Sequence, residues 1–129
     1  MNERFLLDTN AAIAYMSQEA SLVKLIENAD AVFVPSIVLG ELFYGAEKSG
    51  RVEANRVEVE TFAMSGAILN CDAGSARQYG RIRQMLRAKG KPIPQNDTWI
   101  AAMALQHKLT LLTMDHHFNE VDDLLLQSW

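Results

Sequence analysis

The sequence predicts an α/β protein with a mainly parallel sheet of four to five strands and helices on both faces. Three observations carry that expectation. Short, uniformly apolar runs recur along the chain, too brief for helices and too apolar to alternate, as in strands covered on both faces. Stretches of helical period separate them, which calls for crossover connections. Two of the runs end at an acid, on the carboxyl edge where open α/β sheets bind their ligands.

The elements follow in order. Phe5-Leu6-Leu7 is the first strand and leads into Asp8. Thr9 and Asn10 can satisfy backbone groups at the start of a short helix over Ala11–Met16. Glu19–Ala29 is a second helix, with Leu22, Leu25 and Ile26 on one face. Ala31–Val34 is the second strand, closed by Pro35. Ser36 can cap a helix from about Ile37 to Lys48, and Gly50 breaks it. Val52–Met64 is a polar-faced helix rich in Glu and Arg, and Ala67–Cys71 is the third strand. Asp72 or Ser75 starts a long helix reaching Ala88, ended by Gly90, with Tyr79, Ile82 and Leu86 as its apolar line. Lys91-Pro92-Ile93-Pro94-Gln95 is a stiff loop, since neither proline continues a helix. Asn96 caps a strongly apolar helix over Asp97–His107. Thr110–Thr113 is the fourth strand and ends towards Asp115, and Leu124–Leu126 adds a short edge strand.

The 129 residues suit one domain, 1–129, with a substantial core. No apolar stretch approaches the ~20 residues of a membrane span, and the apolar run that follows Met1-Asn2-Glu3-Arg4 is cut by Asp8, which leaves no signal peptide. The single cysteine, Cys71, forms no internal disulfide and is expected as a small core residue. These features point to a cytoplasmic protein without a membrane partner. The net charge of −4 argues against a surface that coats nucleic acid generally. The charge is nevertheless uneven: six of the twelve cationic residues fall between Arg77 and Lys91, and no acid occurs from Ala73 to Asn96.

Winding out from the first strand and returning on its other side gives the order 3-2-1-4, with a possible fifth strand. That order sets Asp8 and Asp115 on one crevice. Glu41 lies in the mostly apolar Leu39-Gly40-Glu41-Leu42-Phe43, and Asp97 opens the most apolar helix. Each acid also has a local explanation to weigh: Asp8 as a helix cap, Asp97 as a favourable charge in a first turn. Glu41 lacks so ready a one. Two like charges ~4 Å apart at an effective dielectric of ~20 repel by about 4 kcal/mol. Four gathered carboxylates therefore protonate, spread or bind cations. Oxygen donors without cysteine suit Mg²⁺ or Mn²⁺. An acidic crevice, a divalent ion and a basic helix together suggest phosphodiester hydrolysis.

Four segments resemble the motifs of the PIN-domain ribonucleases, most closely the VapC toxins of prokaryotic toxin–antitoxin pairs. They are Leu6-Leu7-Asp8-Thr9-Asn10, Gly40-Glu41-Leu42-Phe43-Tyr44-Gly45-Ala46, Pro92 to Ala102, and Thr113-Met114-Asp115-His116-His117-Phe118. Gln95 departs from the pattern, since many relatives carry Glu there. The resemblance implies a three-layer α/β/α PIN fold with strand order 3-2-1-4-5. It implies catalytic, metal-holding acids: Asp8 and Asp97 as primary ligands, completed by Glu41 and Asp115. Asn10, Asn96 and Thr113 would orient those carboxylates. The implied reaction is endonucleolytic cleavage of tRNA or another structured RNA by metal-activated water, leaving a 5′-phosphate and a 3′-hydroxyl. A cognate VapB-type antitoxin and a homodimer are implied as well.

Arg83 and Arg87 share a helix face, Lys91 extends it, and that face lies away from Tyr79, Ile82 and Leu86; as a group these cations could hold RNA phosphates. The adjacent His116 and His117 point in different directions and have no partner at zinc-like spacing, so His117 is expected to pack or bond locally beside Phe118. Three other readings compete. A haloacid-dehalogenase-type phosphatase wants an acid two residues after Asp8, where Asn10 stands. A receiver domain wants paired acids after its first strand. A non-catalytic PIN-fold binding module would not need all four acids.

Overall fold

The computed structural model describes residues 3–129, and its central feature is a five-stranded sheet of order β3-β2-β1-β4-β5. The strands are β1 (Arg4–Leu7), β2 (Ala31–Pro35), β3 (Ala67–Leu69), β4 (Thr110–Leu112) and β5 (Leu126–Gln127). Every pairing is parallel. The order is the expected one, and the sheet is parallel throughout rather than mainly so.

β1 occupies the middle of the sheet because Phe5, Leu6 and Leu7 are all buried and leave no face for water. Its register aligns Leu7 with Leu112 of β4. The residues just past both strands therefore emerge side by side.

The helices are α1 (Thr9–Met16), α2 (Ala20–Glu27), α3 (Ser36–Glu47), α4 (Val52–Ser65), α5 (Ala73–Lys89) and α6 (Gln95–His107). α1 packs on α2 and α3, α3 on α4, and α5 on α6. With right-handed crossovers, α1 to α4 cover one face of the sheet and α5 with α6 the other. α3 and α6 also meet across that division. The α5–α6 pair is locked by stacking of Tyr79 on Trp99, with ring centroids 4.0 Å apart. Among the described residues no helix is long and apolar enough to cross a membrane.

Several local expectations differ from what the chain does. β3 stops at Leu69, and Cys71 is exposed in the loop that follows, not buried in a core. β3 is an edge strand, paired only through Ala67–Leu69, so the segment leading to α5 has no second neighbour to cover it. Asp72 and Ser75 do not compete to start α5. They form a reciprocal capping box, in which each side chain accepts from the other's backbone N–H.

α6 begins one residue before Asn96, with Pro94 at the cap position, and the Pro94 carbonyl accepts from the Thr98 N–H at 3.1 Å. Asn96 is thus inside the first turn and free of capping duty. α3 likewise begins at Ser36 behind Pro35, without a side-chain cap. β5 forms at Leu126–Gln127 because those residues align with Leu111 and Leu112, which leaves Leu125 exposed.

Candidate functional site

Asp8 leaves β1 at the carboxyl edge, and its N–H donates to the Leu112 carbonyl at 3.3 Å. The carboxylate is buried, and each oxygen accepts one hydrogen bond. Oδ1 takes the Ala11 N–H at 2.7 Å, so Asp8 does cap α1. Oδ2 takes the hydroxyl of Thr113, which follows β4. That hydroxyl oxygen also accepts the Asp115 N–H at 2.9 Å. One threonine therefore sets both the Asp8 carboxylate and the backbone that carries Asp115. The helix-cap reading and the site reading of Asp8 use different oxygens and hold together.

Glu41 comes from α3 and is gripped from two sides. Its Oε2 accepts the Thr9 hydroxyl at 2.6 Å, and its Oε1 accepts the Asn96 amide at 2.9 Å. These bonds tie α1, α3 and α6 together at one point above the sheet edge. Asn96 thus orients a carboxylate once it is relieved of capping. Asn10 does not: it is exposed in the first turn of α1, and among the described residues it bonds none of the four acids. The neighbouring Thr9 takes that part, because one step along the helix turns the side chain towards α3.

Asp97 projects from the first turn of α6 towards Asp115, which caps a 3₁₀ turn over His116–Glu120. His117 stands between them, its Nδ1 3.4 Å from Asp97 Oδ2 and 3.2 Å from Asp115 Oδ1. Single ligand atoms of Asp97, Asp115 and His117 all lie within 4.8 Å of one another. The sequence leads one to expect His117 to pack or bond locally beside Phe118, and its contacts with Asp115 are local in that sense, whereas the approach to Asp97 is not. Phe118 is indeed buried, and it anchors the turn that aims the histidine ring at the acids.

The electrostatics follow from this crowding. Burial pushes the Asp8 carboxyl up from its ordinary value, the Thr113 and Ala11 hydrogen bonds pull it down, and Asp97 and Asp115 push it up further. Burial also pushes Asp97 up. The His117 hydrogen bond opposes this, and the charges of Asp115 and Glu41 add to it. The four acids therefore share one field although they come from four different segments. A hard divalent cation would be the natural counter-charge. The donors are chiefly carboxylate oxygens, and the one thiol, Cys71, is in the exposed loop beyond β3. The residues present fit such an ion.

The basic helix is partly committed to internal contacts. The Arg83 guanidinium donates to the Tyr79 hydroxyl at 2.6 Å and lies 5.8 Å from that ring's centroid, so Arg83 leans onto Tyr79 instead of facing away from it. Arg83 and Arg87 together rim a cavity of about 480 Å³ with Ile93, Gln95 and Thr98. Lys91 does not extend their face, because α5 ends at Lys89 and Gly90 turns the chain in a left-handed conformation, φ 70°.

A receiver-type arrangement is not present. Asp72, the acid after the third strand, is consumed by the α5 capping box and by the Gln106 amide at 2.6 Å.

Residues 5–124 match the PIN domain family. The chain is 34% identical over 129 residues to Ribonuclease VapC2 of Haemophilus influenzae, covering 98% of each chain. It is 33% identical over 129 residues to the tRNA(fMet)-specific endonuclease VapC of Shigella flexneri, again covering 98% of each. The solved structure of DNA-bound VapBC from Salmonella typhimurium superposes with a TM-score of 0.91 at 32% identity, over 100% of this chain and 99% of that one.

Proposed function

Because the chain belongs to the PIN-domain family, we propose that it is a divalent-metal-dependent endoribonuclease, the toxin of a VapBC-type toxin–antitoxin pair. One observation carries the reading. Asp8, Glu41, Asp97 and Asp115 converge from β1, α3, α6 and the segment after β4, and among the described residues they have hydrogen bonds but no Lys or Arg partner.

In this reading Asp8 and Asp97 hold the cation, and Glu41 and Asp115 complete the pocket. The ion is Mg²⁺ or Mn²⁺. Bound there, it supplies a more acidic water and neutralises charge building on a phosphodiester. The chain's own residues do the positioning. Thr113 holds Asp8 and the Asp115 backbone in one hydrogen-bonded unit, and Thr9 with Asn96 keeps both oxygens of Glu41 directed. Arg83 and Arg87 hold RNA phosphates on the α5 side of α6, with Lys91 as a looser contact beyond Gly90. The substrate is a structured RNA, and tRNA is favoured by the name of the Shigella relative. Cleavage leaves a 5′-phosphate and a 3′-hydroxyl.

A VapB-type antitoxin is the expected partner, as in the VapBC structures from Salmonella and Rickettsia. A cavity of about 330 Å³ between α1, α3 and α4, lined by Ile13, Met16, Leu42 and Val59, opens beside Glu41 and would suit an apolar antitoxin segment. Exposed Ile13 and Val57 extend the apolar strip. We read residues 1–129 as one PIN domain that works in the cytoplasm as a homodimer.

The experiment is cleavage of tRNA(fMet) and other structured RNAs by the purified chain with Mg²⁺, with Mn²⁺ or with EDTA, followed by mapping of RNA ends. Cutting only with metal, with 5′-phosphate ends, is the expected result. Undiminished cutting in EDTA overturns the reading.

A further inference from the structure

Among the described residues His117 is the one imidazole that faces the acids, and its placement is built, not incidental. The 3₁₀ turn that bears it is capped by Asp115, whose Oδ1 accepts the His117 N–H at 2.9 Å. The next residue, Phe118, is 1% exposed and pins the turn to the core. The ring itself is half-exposed, with a side-chain accessibility of 53%, so its Nδ1 faces the acids at the open mouth of the pocket. His116, next to it, is exposed and outside the cluster.

The distances argue against a closed ion pair between the ring and either acid. A charge-assisted N–H···O bond closes to about 2.7–2.9 Å. The His117 Nδ1 contacts, 3.2 Å to Asp115 and 3.4 Å to Asp97, are both longer. Neighbouring ligands around an ion that holds each of them at about 2.0–2.1 Å stand about 2.9 Å apart, so a shared ion would draw these groups in by only a few tenths of an ångström. A nitrogen and two carboxylate oxygens within 4.8 Å of one another can be drawn onto one ion, and the nitrogen suits an ion that accepts imidazole. Mg²⁺ is a hard ion that prefers oxygen and keeps its waters, whereas the first-row transition ions bind imidazole with affinity rising from Mn²⁺ through Co²⁺.

We propose that His117 is a nitrogen ligand of the cation held by Asp97 and Asp115, and that it tilts the pocket towards transition-metal ions over Mg²⁺. The proposal rests on the reading of this pocket as a cation site. It adds a ligand and a metal preference that the four acids alone would not confer.

The test uses the full chain and the metals themselves. Mn²⁺-loaded protein is measured by electron spin-echo envelope modulation, which detects a directly bound imidazole nitrogen. Co²⁺ and Mg²⁺ affinities are measured by calorimetry on wild type, His117→Gln and His117→Ala. The expected result is ¹⁴N modulation in the wild type that disappears in His117→Gln. With it, Co²⁺ binding should weaken by at least the tenfold that losing even an outer partner of a metal site costs, while Mg²⁺ binding changes much less. Bound Mn²⁺ without ¹⁴N modulation overturns the role of His117 and leaves the acid pocket standing. Failure of the wild type to bind any of the three ions overturns the pocket as well. Equal weakening of Mg²⁺ and Co²⁺ also defeats the proposal, since it shows His117 shaping the site without selecting the metal.

Discussion

Asp8 and Asp72 begin from the same local design and end in opposite electrostatic states. Each follows a parallel strand, each caps the helix after it, and each accepts the backbone N–H three residues on, from Ala11 and Ser75 respectively. Asp8 is buried beside Asp97 and Asp115, and its carboxyl is pushed up. Asp72 is bonded by the Gln106 amide, by backbone N–H groups and by the Ser75 hydroxyl, and its carboxyl is pulled down. The difference comes from strand position. β1 lies in the centre of the sheet, where β4 delivers Thr113 and Asp115 next to it. β3 lies on the edge, where no second strand delivers an acid. A capping aspartate stabilises its helix in both places, and only in the centre does it also bear the repulsion of a shared pocket.

The sharpest way to break the comparison is to neutralise each acid in turn. Asp8→Asn and Asp97→Asn should each lower RNA cleavage by at least about a hundredfold, beyond what loss of an outer metal-site partner costs. Asp72→Asn should leave the rate within about twofold, since Asn caps about as well as Asp. Cleavage rates at saturating metal, with circular dichroism to verify folding, decide it. An active Asp97→Asn enzyme would dissolve the distinction.

Metal binding should then divide the two regions thermally. A divalent ion at about 100 times its Kd stabilises the native state by about 2.7 kcal/mol. Thermal melts with and without Mn²⁺ should show a rise of several degrees for wild type and Asp72→Asn, and a much smaller one for Asp97→Asn. Equal rises in all three proteins would remove Asp97 from the site.

The pH dependence carries opposite signs. Asp8 and Asp97 titrate above the ordinary 3.8 in the folded chain. The folded state therefore holds protons that the unfolded state releases, and the stability they contribute is full below that value and is lost as pH rises through their raised pKa values. Asp72 titrates below 3.8, so its contribution is present above that value and is lost as pH falls through its lowered pKa. In EDTA, the melting temperature of Asp97→Asn should gain on wild type as pH rises from about 3.5 to 6, and that of Asp72→Asn should fall behind over the same window. Parallel curves would show that the two acids do not differ.

The smallest expected effect is structural. Ser75 is fully buried, and its hydroxyl donates to Gln106 Oε1 at 2.5 Å. Ser75→Ala should cost about 1 kcal/mol of stability, read from denaturant melts, with cleavage unchanged. A loss of cleavage would mean that the edge region communicates with the pocket.

Much of this molecule was legible before any coordinates. Phe5 to Leu7, Ala31 to Val34 and the runs after them announce buried strands because a strand covered on both faces must be apolar at every position. That requirement is local, and so is the helical period between the runs. The order 3-2-1-4 follows from the doubly wound pattern, and the resemblance to the PIN domains completes it with the fifth strand. Glu41 stood out because a charge in an otherwise apolar turn needs a tertiary reason. Cys71 was misplaced because an apolar run alone does not tell where a short edge strand stops. Asn10 was named as an orienting residue on the resemblance alone; Thr9 sits in the same turn, and only the position of α3 decides which one meets Glu41.

The sequence by itself determined the elements, their order and the four acids, since each depends on residues within a turn or two of one another. The tertiary structure alone decided who meets whom. Thr9 reaches Glu41 across 32 positions, Asn96 reaches it across 55, and Thr113 meets Asp8 across 105. Such partners are chosen by how helices cross and how strands align, and a short polar side chain offers no periodicity that would announce its partner. His117 shows the same limit: its neighbours along the chain suggested local packing or bonding, which its contacts with Asp115 are, and only the fold adds Asp97.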